Sequence, residues 1–278
     1  MSYENPQVPH QVNAPPEPVL GEFLRIALGL CLVAIAVAAL LYFFGGTLAR
    51  LVPYSYERQL VGDRVLAPIA GPEKRDVAAG QRRLAYLQAL ADDLAPRANL
   101  PAGMQPIVHW SDTDVPNAFA TLGGHVVVTR GLYERMPSEN ALALVVAHEL
   151  AHLRERDPIS AVGGALSLTL VMVLLGADAS QFYPQVAQVV QLGYSRRVES
   201  RADEIALQAV VARYGHAGGT AAAFEALADY AGPLHDATPE LLATHPADAA
   251  RIARLRQAAA DWDPARQPLR PLAVPVHR

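Results

Sequence analysis

The sequence predicts a mainly helical α+β protein with a small β-sheet, set behind an N-terminal transmembrane helix. Three observations carry this. A run of 24 uncharged residues, Ile26 to Ala49, lies near the N-terminus. Apolar residues then recur at helical spacing through several later segments. Between those segments lie only short β-branched runs, Ile107-Val108-His109-Trp110 and His125-Val126-Val127-Val128-Thr129, enough for a small sheet.

Taken in order, residues 1–25 are expected to be a disordered tail, since the first 21 hold five prolines and no Lys or Arg. The run 26–49, bracketed by Arg25 and Arg50, is long enough to cross the hydrocarbon layer. It is too long for a signal-peptide core, so it reads as a retained, single-pass anchor in contact with lipid. Arg50, Arg58 and Arg64 follow it, against Arg25 alone before it. That bias favours a cytoplasmic domain, but long domains are translocated despite such charges, so the face is not assigned. Residues 50–76, with Pro53, Pro68 and Pro72, read as a connector.

The folded domain is expected over 77–262. Leu84, Leu87, Leu90 and Leu94 predict a helix from Val77 to Leu94, ended by Pro96 and Pro101. The two β-branched runs are strands, Gly123-Gly124 is a turn, and Asn117-Ala118-Phe119-Ala120 is a candidate third strand. Ser138 caps the next helix, whose stripe Leu142, Val146, Leu150 and Leu153 faces the core. Its neighbouring face, with Val145, His148, Glu149 and His152, is expected to look into a cleft, and Asp157-Pro158 ends it. Ile159 to Ala177 is a second uncharged run, 19 residues long. It could span a membrane by length, but the return segment 178–198 makes a poor span, so a buried or shallow helical hairpin is preferred. Helices follow at 198–214, stopped by Gly215, at 219–230 and at 247–260. Residues 263–278 hold four prolines and are expected to be a disordered tail.

Composition excludes several classes. The chain is 51% hydrophobic and 18% charged, which suggests membrane contact. Its net charge of -4 and lack of any basic run give nucleic-acid binding no support. The single cysteine, Cys31, rules out an intrachain disulfide and cysteine-ligated zinc, so a metal site must use His, Asp and Glu.

His148-Glu149-Leu150-Ala151-His152 supplies such a site. Histidines four apart lie about 40° apart around a helix, so both rings leave one face and can hold two corners of a tetrahedral zinc. Glu149, slightly to the side, is placed to act as a general base. A catalytic zinc needs a third protein ligand and an open position. Glu199 is the best candidate ligand. Asp203, one turn later on the same face, would accept the N–H of His148 and fix its tautomer. One Zn2+ per chain is expected. The oxyanion needs a further stabiliser, with Arg201, Tyr230, His235 and His245 as candidates.

The motifs then fall in a familiar order. Asn117-Ala118-Phe119-Ala120, Thr129-Arg130-Gly131-Leu132, the H-E-x-x-H helix, Ser195-Arg196 with Glu199, Ala202 and Asp203, and Thr244-His245-Pro246 with Arg251-Ile252 resemble the gluzincin zinc endopeptidases that include HtpX and the CAAX prenyl protease. The similarity covers roughly 77–260. It implies a zincin-type metallopeptidase domain with His148, His152 and Glu199 as ligands and Glu149 as base. An edge strand with Asn117, Ala118 and Phe119 would bind an extended protein or peptide substrate, with Arg201 as a further contact. His245 would either donate to the oxyanion or serve as a fourth zinc ligand that closes the site. The resemblance also implies a bacterial inner-membrane protein that clears damaged membrane or envelope proteins. The departure is a single secure span where those relatives have several. The competing reading is a non-proteolytic, membrane-tethered chaperone or adaptor that keeps the zinc fold.

Overall fold

The computed structural model describes residues 19–61, 77–174, 194–231, 245 and 249–274. Helix α1 spans Val19–Ala49, and its window Val19–Leu41 is long and apolar enough to cross a membrane. It starts seven residues before the uncharged run, because Glu22 and Arg25 sit in its first turns without ending it. Most of its described Leu, Ile, Val and Phe side chains are exposed. The expected tail, 1–25, lies outside the described residues over 1–18, and its last seven residues, 19–25, are helical instead. The connector begins with a short helix, α2 (Tyr54–Val61), and its remainder, 62–76, also lies outside them.

Helix α3 runs Val77–Arg97, with Pro96 inside its last turn. The expected stop at Pro96 comes one residue late. Asn99 then turns left-handed and Leu100 N–H bonds back to Ala95 O at 3.0 Å. Strands β1 (Ile107–Ser111), β2 (Ala118–Thr121) and β3 (His125–Thr129) form one sheet in the order β1-β3-β2. β1 runs parallel to β3 and β2 antiparallel, with Ala118 opposite Val128. β2 is therefore an edge strand. The Thr129 side chain joins sheet to helix: it accepts from Asn117 N and from Leu132 N, the latter capping α4 (Arg130–Arg135). Gly131 admits no side chain, since a Cβ there would strike the Asp114 carbonyl.

Helix α5 (Glu139–Glu155) is the centre of the core. Ser138 Oγ accepts from Ala141 N, and every residue from Glu139 to Leu153 is buried. Leu142, Val146 and Leu150 meet Leu87, Leu90 and Leu94 of α3, the inner face of the sheet, and Ala202, Ala206 and Val210 of α7 (Arg196–Tyr214) in one cluster. Each such leucine contributes about 1.5–3 kcal/mol by leaving water. Arg156 is left-handed (φ 60°) and ends α5. Asp157-Pro158 then starts α6 (Asp157–Leu174), with proline in the first turn, where its missing N–H costs nothing. α6 runs back along α1: a Cβ on Gly46 would meet Ser160 O at 2.8 Å, and one on Gly163 would meet Gly45 O at 2.8 Å. The return segment 175–193 lies outside the described residues, so the expected hairpin is seen only in its first arm.

α7 is capped by Ser195 and stopped by Gly215 at φ 81°, a backbone setting that suits glycine. α8 (Ala221–Ala231) and α9 (Ala249–Ala258) complete the domain. The segment 263–274 is not the disordered tail that its prolines suggest. Glu139 N–H donates to Arg270 O, Arg270 N–H to Asn140 Oδ1, and Tyr133 OH to Val274 O. Leu272 and Val274 pack on the core, and Trp262 stacks on His216. Prolines remove donors but leave carbonyls and apolar side chains, and those hold the segment down.

Candidate metal centre

α5 and α7 pack side by side and bring their motifs together. His148 Nε2 and His152 Nε2 are 3.1 Å apart, and Glu199 reaches them at 3.3 and 3.6 Å. His245 Nδ1 lies 3.3 Å from His148 Nε2 and 2.8 Å from Glu199 Oε1. These donors all lie within 4.8 Å of one another and all four residues are buried. A zinc with bonds of about 2.0–2.1 Å has tetrahedral edges of about 3.3 Å, so the residues present fit the ion.

The far side of each ring is also occupied. His152 Nδ1 is hydrogen-bonded to Asp157 Oδ2 at 3.0 Å. A carboxylate accepts, so Nδ1 carries the hydrogen and Nε2 presents its lone pair. His148 Nδ1 sits 3.0 Å from Asp203 Oδ1, a close approach at an oblique angle. Arg251, 2% exposed, grips Asp203 with Nε at 2.7 Å and a terminal nitrogen at 2.6 Å, and reaches Glu199 Oε2 at 2.9 Å. Its guanidinium lies over the Phe224 ring. Burial disfavours charge on His148, but Asp203 and Glu199 outweigh it and push the ring up to about 10. Burial likewise opposes ionised Glu199, but His148 and His245 hold its carboxyl well below the usual range. Both shifts describe a pocket that favours a cation.

Glu149 stands beside the donors. Its Oε2 accepts from Ala120 N on edge strand β2 at 2.7 Å, while Oε1 has no hydrogen-bond partner among the described residues. The open cleft expected over this face is absent among the described residues: His148, Glu149 and His152 are 3%, 1% and 0% exposed. α7, Tyr194 and His245 cover it, with Tyr194 stacked on His152 at 4.4 Å.

The combination of paired imidazoles, an acid from a distant helix and an adjacent carboxylate invites comparison with known proteins. Residues 81–259 match peptidase family M48. The chain belongs to this family. An M48 relative named Protease HtpX homolog, from Acidiphilium cryptum (strain JF-5), is 34% identical over 51% of this chain and 56% of its own. Another of that name, from Desulforapulum autotrophicum, is 31% identical over 61% of this chain and 68% of its own. The beta-barrel assembly-enhancing protease of Escherichia coli (strain K12) is 31% identical over 55% of this chain and 34% of its own. The chain thus spans from about a third to two thirds of the M48 relatives it matches. M48 peptidases use zinc, in keeping with the donor set found here.

Not every expected residue joins the centre. Asn117 is buried, its backbone N–H donating to Thr129 Oγ1, while Ala118 and Phe119 lie in β2. Arg201 is 64% exposed and paired with Glu155. It lines a cavity of about 540 Å³ with Arg197, Ser200 and Arg254, whose wall also includes Asp203 and Arg251 but neither histidine. Tyr230 sits on α8 with Arg135 over its ring, and His235 lies outside the described residues. Sequence reading missed the roles of Asp157, Tyr194 and Arg251. Asp157 follows His152 by five residues but reads as a helix terminator, Tyr194 carries no motif, and Arg251 was visible only as part of a resemblance.

Proposed function

We propose that the chain is a membrane-anchored zinc metalloendopeptidase that hydrolyses peptide bonds in proteins of the bacterial inner membrane or envelope. Residues 26–49 serve as the anchor, and 77–262, with the segment 263–274 packed onto it, as the peptidase domain. The observation that carries this is the convergence of His148, His152 and Glu199 beside a buried Glu149 oxygen that has no hydrogen-bond partner among the described residues. The name of the Escherichia coli relative supports envelope proteins as the substrate class.

Zinc, when bound there, supplies a Lewis acid that activates water and polarises the scissile carbonyl. Glu149 Oε1 takes the proton from the attacking water and delivers it to the leaving amine. The Ala120 N–H fixes Oε2 and so aims Oε1. β2 offers its unpaired edge toward Glu149, and an extended peptide adds to it as a further strand, contacting Asn117, Ala118 and Phe119. Arg201 binds more distant parts of the substrate. His245 is a fourth donor in this conformation and withdraws to leave a position for water, where its ring can then donate to the oxyanion.

A closed four-donor set also suits a structural ion, which is all that the chaperone or adaptor reading requires of it. Glu149 favours the peptidase, since a structural site has no use for a base. Glu149→Gln in the full chain is expected to keep its zinc by elemental analysis. It should cleave an unfolded protein roughly 10²–10⁴-fold more slowly than the parent, whose activity is removed by a chelator. Cleavage by the variant at the parent rate would sink the reading.

A further inference from the structure

We propose that Arg50 and Asp157 form a strut that joins the membrane anchor to the metal ligand His152, so that the setting of the anchor tunes the metal site. The inference takes from the proposed function only that His152 Nε2 faces a metal ion. Asp157 is almost wholly buried and uses both of its oxygens: Oδ2 on His152 Nδ1 and Oδ1 on an Arg50 terminal nitrogen, each at 3.0 Å. A carboxylate that holds a ligating histidine fixes the ring plane and raises its basicity. Here the plane of that carboxylate is itself fixed by the first residue after α1.

The surroundings make the link stiff. Left-handed Arg156 reverses the chain and turns Asp157 back beneath His152. The Arg156 side chain donates to Val52 O at 2.5 Å and pairs with Glu57 at 2.9 Å, both just beyond the anchor. Gly46 and Gly163 then let the backbones of α1 and α6 come into contact. The end of α5, which carries both histidines, is thus fastened to the exit of the anchor at three points. A tilt or axial shift of α1 moves Arg50, and through Asp157 it moves the His152 ring.

The test measures zinc affinity by competition with a chromophoric chelator, on the full chain in lipid nanodiscs. Asp157→Asn is expected to weaken zinc binding roughly 10–100-fold. Arg50→Gln should weaken it in the same direction, Arg50→Lys should recover most of the loss, and Arg50→Gln with Asp157→Asn should bind no worse than Asp157→Asn alone. A parent-like affinity for Arg50→Gln or Asp157→Asn, a failure of Arg50→Lys to recover, or losses that add would each overturn the strut. His152→Ala is run alongside. If it too binds zinc as tightly as the parent, the fault lies with the metal site and not with the strut. Melting of the metal-free proteins separates both cases from simple unfolding.

Discussion

Replacing Arg251 with methionine removes the cation that the centre carries in its own protein. Arg251 makes three short contacts, two to Asp203 and one to Glu199, and is 2% exposed. Methionine has comparable reach and no charge, so it leaves two buried carboxylates without that partner. Removing one member of a buried ion pair costs about 3–5 kcal/mol. In a domain of this size each kcal/mol shifts the midpoint by about 2–4 °C, so the variant should melt roughly 6–20 °C below the parent. Zinc would stabilise one of these carboxylates, Glu199, directly, so the deficit should be larger after chelation than before it. Arg251→Lys keeps the charge and loses the fork, and should fall between the two. The assay is thermal unfolding of the full chain in detergent, with zinc and with chelator. A midpoint for Arg251→Met within about 2 °C of the parent in both conditions would refute the reasoning, because that shift is under about 1 kcal/mol.

Other predictions concern the same framework. Asp203→Asn should weaken zinc about 10–100-fold in chelator competition and, by removing a charged partner of buried Arg251, should also lower the melting point. Gly131→Ala should cost about 1–3 kcal/mol in denaturant unfolding, since the new methyl meets the Asp114 backbone, which cannot move aside as a side chain would. Burial would raise the Glu139 carboxyl, but hydrogen bonds from Tyr86, Arg213 and Tyr214 bring it below its ordinary 4.5. The folded state thus holds that proton more weakly than the unfolded one. Its stabilisation is complete above the ordinary value and is lost as pH falls through the lowered one. Melting midpoints taken from about pH 5 to about pH 3 should therefore drop, and Glu139→Gln should flatten that drop.

The parts of this protein that could be read from its sequence are those set by local repeat. Helical spacing put His148 and His152 on one face, and the same spacing put Glu199 and Asp203 on another. Packing α5 against α7 needed only the apolar stripes, so the convergence of His148, His152 and Glu199 could be expected in advance. What escaped depended on chain reversals and on distant partners. Asp157 reaches His152 only because Arg156 is left-handed, and no periodicity announces that. Arg251 lies 48 residues from Asp203 and meets it through the packing of α9. The depth of the site was also hidden, because a helix face with a glutamate and two histidines reads as exposed until Tyr194 and His245 close over it. Proline content misled at 263–274, where carbonyls do the binding that amides could not.

That last segment has a practical consequence. Arg270 takes up the otherwise orphaned amide at the start of α5 and engages the side chain of the next residue, Asn140. Anyone trimming the polypeptide for crystals or overexpression on the strength of its proline content would strip the bolt from the beam that carries the histidines. Boundaries drawn at or beyond Val274 keep it, and a product cut at Trp262 is expected to lose metal and solubility together.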